Sequence, residues 1–298
     1  MPQQTYGIIG LGAMGMGMAR SLKRAGLATM GCDMNPAAVE AFAREGGGTA
    51  VDPAGAAAAS DVLFLVVVNA VQVEDVLFGA GRAAGALRPG SVVVACSTVT
   101  PEFARDMEKR LADMGLLYLD APISGGAARA AAGEMTIMAS GRPGAFAKAE
   151  KGLDAIASKV YRMGDAAGSG SAMKVVNQLL AGVHIAAAAE AMALGLRMGL
   201  EAQTVYEVIT NAAGNSWMFE NRMAHVVAGD YTPLSAVNIF VKDLGIVTDT
   251  AREQSMPAPL AAAALQQFVT ARARGHGNED DSAVIKVFPG VTLPEKKG

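Results

Sequence analysis

The segment Gly10-Leu11-Gly12-Ala13-Met14-Gly15 follows an apolar run, residues 6–10. It opens a stretch in which Met14, Met18, Leu22 and Ala25 recur at helical spacing. Three glycines so placed between a strand and a helix leave few folds open. Gly10 allows the tight turn, Gly12 lets backbone amides approach a bound group closely, and Gly15 lets helix and strand pack. Residues 28–33 read as the next strand, and its last residue is acidic, Asp33, at the distance expected of a dinucleotide fingerprint. The start of the helix offers amides and a positive dipole end to a pyrophosphate. Asp33 would accept hydrogen bonds from the adenosine ribose and repel a 2′-phosphate. Met34 and Asn35 follow it, so no arginine stands ready for that phosphate, and NAD is expected rather than NADP.

The pattern continues in the first half. Asn35-Pro36 opens a helix as cap and first residue. Residues 62–68 and 91–96 are continuous apolar runs, as strands buried on both faces should be. Residues 101–114 read as a helix, 116–120 as a strand, and 136–139 as one more. Strands alternating with helices predict an α/β chain with a doubly wound, mostly parallel Rossmann sheet. Near Gly164 the texture changes, and helical stretches follow at 171–198, 203–211, 221–228, 236–253 and 259–274. The expected division is an NAD-binding domain, 1–165, and an all-helical domain for substrate and oligomerisation, 166–298, begun by a long helix.

Composition excludes several classes. The net charge is −3 and no block of Lys and Arg occurs, so neither nucleic acid nor an anionic membrane is the expected partner. The run 179–196 is apolar but holds His184 and Glu190, and it reads as a helix buried on nearly all sides rather than a membrane span. Met1 to Thr5 are polar and lack the marks of a leader. Two isolated cysteines, Cys32 and Cys96, form neither a disulfide framework nor a metal site, which suits a reducing, cytoplasmic setting. No His/Cys/Asp cluster has metal-ligand spacing, so no metal is expected.

Three further segments resemble the signatures of one family. Asp120-Ala121-Pro122-Ile123-Ser124-Gly125-Gly126, with residues 130–136, is similar to the substrate-binding signature of the β-hydroxyacid dehydrogenases, which include the 3-hydroxyisobutyrate dehydrogenases. Gly168-x-Gly170-x-x-x-Lys174-x-x-Asn177 resembles their catalytic signature, and Lys242-Asp243-Leu244 their cofactor-side lysine motif. The likeness covers almost the whole chain in order. It implies NAD as cofactor, bordered by Gly10, Leu11, Gly12, Ala13, Met14, Gly15, Asp33, Met34, Val67, Val68, Asn69, Thr98 and Lys242. It also implies a small hydroxy acid held by Ser124, Gly125, Gly126 and Asn177. Stretches 133–141, 218–222, 228–235 and 280–284 resemble one subgroup and imply oxidation of L-threonate at C2 to 2-oxo-tetronate. Oxidation of 3-hydroxyisobutyrate, reduction of tartronate or another semialdehyde, and a binding module without turnover are the alternatives. Gln178 stands where many members carry a second Asn, which bears on substrate choice.

Oxidising an alcohol needs its proton removed and a hydride accepted. Lys174, the only charge in residues 172–181, is the expected general acid/base; burial and a positive nicotinamide would favour its neutral form. Asn177, three residues on, shares its helix face and can orient the reacting oxygen, or else bond a neighbouring helix. Ser124-Gly125-Gly126 suits a carboxylate, or is an ordinary turn. Thr98 reads as a cofactor contact or a strand-end cap, and Lys242 as a cofactor contact or a surface lysine near Asp243. His184 reads better as a core residue than as part of a pocket. The long apolar helix predicts a homodimer or homotetramer.

Overall fold

The computed structural model describes residues 4–296, so the expectation for Met1–Gln3 lies outside the described residues. The first half runs β1 (Thr5–Ile9), α1 (Ala13–Arg24), β2 (Ala28–Cys32), α2 (Pro36–Arg44), β3 (Gly48–Thr49), α3 (Pro53–Ala58), β4 (Val62–Leu65), α4 (Ala70–Leu77), α5 (Ala83–Ala86), β5 (Val92–Ala95), α6 (Pro101–Asp113) and β6 (Leu117–Asp120). These strands form one sheet in the order β3-β2-β1-β4-β5-β6. Every pair is parallel, with Ile8 set between Gly31 and Phe64. All four residues of β4 and of β5 are buried, as helices on both faces require. Tyr6, Ile8, Phe64 and Val94 line one face, and Ile9, Leu63, Leu65 and Val93 the other, so the alternation of the strands feeds two cores.

Local chemistry sets the helix starts. Asn35, Asp52, Asn69 and Thr100 each accept a backbone N–H of the first turn, and Pro36, Pro53 and Pro101 follow three of these caps. Residues 66–68 leave the strand expected over 62–68 and form the loop after β4.

Next come β7 (Ile123–Ser124), α7 (Gly126–Ala132), β8 (Met135–Ala139), α8 (Pro143–Ile156) and β9 (Ala157–Arg162). Residues 136–139 are a strand, as expected, but not of the parallel sheet. β8 pairs antiparallel with β7 and parallel with β9 in a second, three-stranded sheet. α8 packs Phe146 and Leu153 into the core over the first sheet.

The chain divides into two compact units within α9 (Ser169–Arg197), the first ending at Lys174 and the second beginning at Val175. The second unit adds α10 (Ala202–Thr210), α11 (Trp217–Ala228), α12 (Val237–Glu253), α13 (Pro259–Ala271) and a 3-10 turn, Asp281–Val287. Its core joins Ile185, Ala189 and Met192 to Phe219, Phe240, Leu244, Phe268 and Ile285, with Phe240 and Phe268 stacked at 5.2 Å. Gly182 leaves room for Leu244 there: a Cβ would lie 2.7 Å from Leu244 Cδ2, and that buried side chain would have to shift. α9 is not buried on nearly all sides within this chain. Met173, Val176, Leu180 and Leu194 are exposed along it, and Met198 just after its end. Among the described residues α9 alone is long and apolar enough to cross a membrane by length and composition, and its other face is packed core.

Candidate active site

The glycine turn has a separate steric reason at each glycine. Gly10 has φ +98°, and a Cβ there would lie 2.4 Å from Val66 O. A Cβ on Gly15 would lie 1.8 Å from Gly10 O, so helix and turn touch backbone to backbone. Gly12 differs: it is the N-cap of α1 with no side-chain cap, and a Cβ there would meet nothing within 4 Å. The turn therefore presents bare backbone at a helix start whose first turn holds no acidic residue. That is an environment for a pyrophosphate, and the residues fit the cofactor expected from sequence.

Asp33 secures this turn. Its Oδ2 accepts the Leu11 amide at 2.5 Å and its Oδ1 the Asn35 amide at 2.7 Å. Beside it Met34 is fully exposed. The loops after β4 and β5 lie at the same edge of the sheet, where Ser97 Oγ donates to Val67 O at 2.7 Å. Val68 donates its N–H to Gln72 Oε1, while Asn69 caps α4 through Gln72 N. Thr98 is half-buried next to Ser97.

Ser124, Gly125 and Gly126 form the turn from β7 into α7. Both glycines have positive φ, +138° and +76°. This turn is braced on α1: Ser21 Oγ donates to Ala130 O at 3.0 Å, and a Cβ on Gly17 would lie 2.7 Å from Ala131 N. The helix that starts at the glycine fingerprint thus also seats the helix that follows Ser124-Gly125-Gly126.

Asp120 does work the sequence did not reveal. Its Oδ2 accepts Gly168 N at 2.9 Å, Ser171 N at 2.8 Å and Ser140 Oγ at 3.2 Å, and its Oδ1 accepts Ser171 Oγ at 2.7 Å. Ser140 Oγ in turn accepts Gly170 N at 2.9 Å. A Cβ on Gly170 would lie 2.4 Å from Met138 O, so only glycine lets the helix start this close. Burial raises the Asp120 carboxyl above its ordinary range, opposed by the bonds from Ser171, Gly168 and Ser140. Lys174 follows Ser171 by three residues and is 6% exposed. The carboxylate that ends β6 therefore fixes the first turn of the helix that carries Lys174.

In the second unit Asn177 Nδ2 donates to Gln178 Oε1 at 2.8 Å, and Gln178 Nε2 donates to Asp243 Oδ2 at 2.5 Å. Lys242 Nζ lies 2.6 Å from Asp243 Oδ1. Asn177 and Lys242, 65 positions apart, are thereby joined through Gln178 and Asp243. His184 is half-buried on α9. Three of the subgroup-like stretches meet elsewhere. Arg222 pairs with Asp281 at 2.5 and 3.1 Å, Leu234 N donates to Asp280 Oδ2 at 3.1 Å, and Asp281 N donates to Ser235 O at 2.7 Å. That knot is scaffold for the helical unit. Among the described residues no group of three His, Cys, Asp or Glu is placed to hold a metal ion.

Comparison with known proteins gives the same assignment. Residues 5–164 match the NAD binding domain of 6-phosphogluconate dehydrogenase, and residues 168–288 match the NAD-binding domain of NADP-dependent 3-hydroxyisobutyrate dehydrogenase. The chain is 60% identical to an L-threonate dehydrogenase of Cupriavidus necator, over 98% of this chain and 99% of that one. The chain belongs to the 3-hydroxyisobutyrate dehydrogenase-like family. As a member it is an NAD-dependent hydroxy-acid oxidoreductase. It is also 56% identical to an L-threonate dehydrogenase of Pectobacterium atrosepticum, over 97% of this chain and 96% of that one. Among solved structures it is similar to a 3-hydroxyisobutyrate dehydrogenase from Salmonella typhimurium. There the TM-score is 0.92 and the identity 54%, over 96% of this chain and all of the other. Within this family the six-stranded parallel sheet and the helical unit begun by α9 are the expected architecture.

Proposed function

We propose that this chain oxidises L-threonate at C2 to 2-oxo-tetronate with NAD. The observation that carries the reading is near-full-length identity of 52–60% to five proteins named L-threonate dehydrogenase. A second reading, 3-hydroxyisobutyrate as substrate, has one specific observation behind it, the name of the Salmonella typhimurium structure.

Lys174 takes the proton of the substrate hydroxyl on Nζ and returns it in the reverse reaction. Its burial keeps water from the amine, so the proton passes between two positioned groups. Asn177 orients the reacting oxygen. Ser124 with the amides of Gly125 and Gly126 holds the carboxylate, a role suited to a hydroxyl beside two positive-φ glycines. When bound, NAD supplies the hydride acceptor, nicotinamide C4. The amides at Gly10–Gly15 hold its pyrophosphate, Asp33 and Met34 border the adenosine, and Val67, Val68, Asn69, Thr98 and Lys242 complete its surroundings. Asp33 favours NAD over NADP by its charge. Of the domains read from sequence, 1–165 supplies most of the NAD surroundings and the Ser124–Gly126 turn, and 166–298 supplies Lys174, Asn177, Lys242 and the assembly surface.

The product identifies the reaction. Oxidation at C2 leaves a four-carbon acid whose carbonyl adjoins the carboxylate, visible by NMR. A three-carbon product formed by loss of carbon dioxide would mean oxidation at C3 and would overturn the assignment.

The protein works in the cytoplasm as a homodimer or homotetramer. Burial raises the Cys32 thiol to about 11, helped by Asp33 and Asp52, and the Cys96 thiol to about 12; both stay protonated and unreactive. The exposed apolar side chains of α9 support assembly through that helix. Sedimentation at micromolar protein is expected to show two or more chains per particle, and a single-chain species would contradict this.

A further inference from the structure

Asp243 is 2% exposed, Gln178 is 6% exposed, and neither has a role in proton transfer or cofactor contact in the account above. We infer that these two residues form a relay that fixes which way the Asn177 amide faces. The inference rests on the reading of Asn177 as a substrate contact.

The argument is one of hydrogen-bond polarity. An ionised carboxylate only accepts hydrogen bonds. Gln178 therefore turns Nε2 toward Asp243, at 2.5 Å, and must turn Oε1 the other way. Oε1 also only accepts, so Asn177 turns Nδ2 toward it, at 2.8 Å. The direction of both amides is dictated from the buried end of the chain. Asn177 then offers Oδ1 and one remaining N–H to the substrate: a donor for the reacting oxygen and an acceptor for a neighbouring hydroxyl of a polyhydroxy acid. A flipped Asn177 would exchange these and set an acceptor against the reacting oxygen.

The surroundings are built for this relay. Asp243 stands on α12 and Gln178 on α9, and Gly182 lets the two helices pack closely beside them. That glycine lies four residues beyond Gln178, on the same face, and against Leu244, the neighbour of Asp243. The Lys242 ammonium lies 2.6 Å from Asp243 Oδ1, so Oδ1 faces a cation and Oδ2 is the oxygen turned to Gln178. The extra methylene of Gln178, relative to the Asn many relatives carry there, lets one side chain reach both Asn177 and Asp243. Gln178 and Asp243 are positioning residues, acting through Asn177.

A double-mutant cycle tests this, with L-threonate and NAD as substrates and NADH binding followed by fluorescence. Gln178→Leu is expected to lower kcat about 10- to 100-fold, with the NADH dissociation constant changed by less than about twofold. Asn177→Ala is expected to lower kcat at least as far. The pair together should be no worse than Asn177→Ala alone, because the relay has nothing left to orient. Losses that multiply in the double variant would make Gln178 a structural residue and overturn the relay. Full activity in Gln178→Leu beside an inactive Asn177→Ala would overturn the relay and leave the Asn177 reading intact. Full activity in Asn177→Ala would overturn both. If Gln178→Leu does not fold, Asp243→Asn carries the same cycle: it keeps the shape and removes the charge that sets the polarity. It too should lower kcat, with no added loss in the Asn177→Ala background.

Discussion

Replacing Lys174 by alanine is expected to lower kcat for the hydroxy acid by about 10²–10⁴-fold, the usual contribution of a positioned acid/base, while NAD still binds. The expectation follows from position. Lys174 is held on the first turns of α9, whose start is fixed by three bonds to Asp120, and its side chain is 6% exposed. Removing the amine leaves no other charged group in residues 172–181 to take the proton. Arginine should not substitute, because a guanidinium keeps its proton at any working pH. The measurements are steady-state turnover and NADH fluorescence on the same preparation. Turnover within tenfold of the wild type would remove Lys174 from the proton-transfer step. Loss of NADH binding together with turnover would make it a structural residue.

The second large effect is on stability. Asp281 is fully buried and pairs with Arg222 at 2.5 and 3.1 Å. Burial lifts its carboxyl to about 6, against the pull of the Arg222 guanidinium and with a further push from Asp280. Burial thus outweighs the pairing, although at neutral pH the carboxylate is ionised and the pair complete. Because the folded value lies above the unfolded one, the native state holds the extra proton between about pH 4 and 6. This group's contribution is therefore fully present below about pH 4, declines as pH rises to about 6, and is level above that. The span is on the order of 3 kcal/mol. Arg222→Leu leaves the carboxylate buried without its counter-charge and should destabilise the helical unit by about 3–5 kcal/mol at pH 7.5. The loss should shrink at pH 5.5, where Asp281 takes up a proton, and Arg222→Leu/Asp281→Asn should recover much of it. Urea unfolding at the two pH values measures this. A loss below about 1 kcal/mol at pH 7.5 would show that the pair contributes little.

What the sequence made legible was local. The glycine fingerprint, the apolar runs of β4 and β5, and the cap Asn35 each carry their structural reason within a few residues. The second sheet was less legible. Residues 136–139 look like any buried strand, and only pairing with β7 and β9, set by tertiary packing, separates them from the parallel sheet. The outward face of α9 was hidden for a similar reason: alanine-rich sequence is apolar on every side, so its pattern does not say which side is covered. At the site, the motif residues were legible as types, but their supports were not. Asp120 accepts bonds from residues 48 and 51 positions away, and Asp243 from one 65 away. A carboxylate serving such distant partners has no local signature, beyond being an acid in an otherwise apolar strand or beside a motif lysine. The subgroup-like stretches around Arg222, Ser235 and Asp281 bond to one another within the helical unit, over separations of up to 59 positions that give no local signal.

The central claim is NAD-dependent oxidation of L-threonate, and the appearance of NADH at 340 nm tests it most directly. The panel should hold L-threonate, D-threonate, D-erythronate, 3-hydroxyisobutyrate, D-glycerate and L-serine, each with NAD. The account predicts the highest kcat/KM for L-threonate, by about tenfold or more over 3-hydroxyisobutyrate, D-glycerate and L-serine, since a site built to bond an extra hydroxyl discriminates strongly against acids that lack it. It also predicts a higher value than for D-threonate and D-erythronate, which set a hydroxyl on the other side of the carbon chain. A higher kcat/KM for 3-hydroxyisobutyrate or another acid of the panel would contradict it.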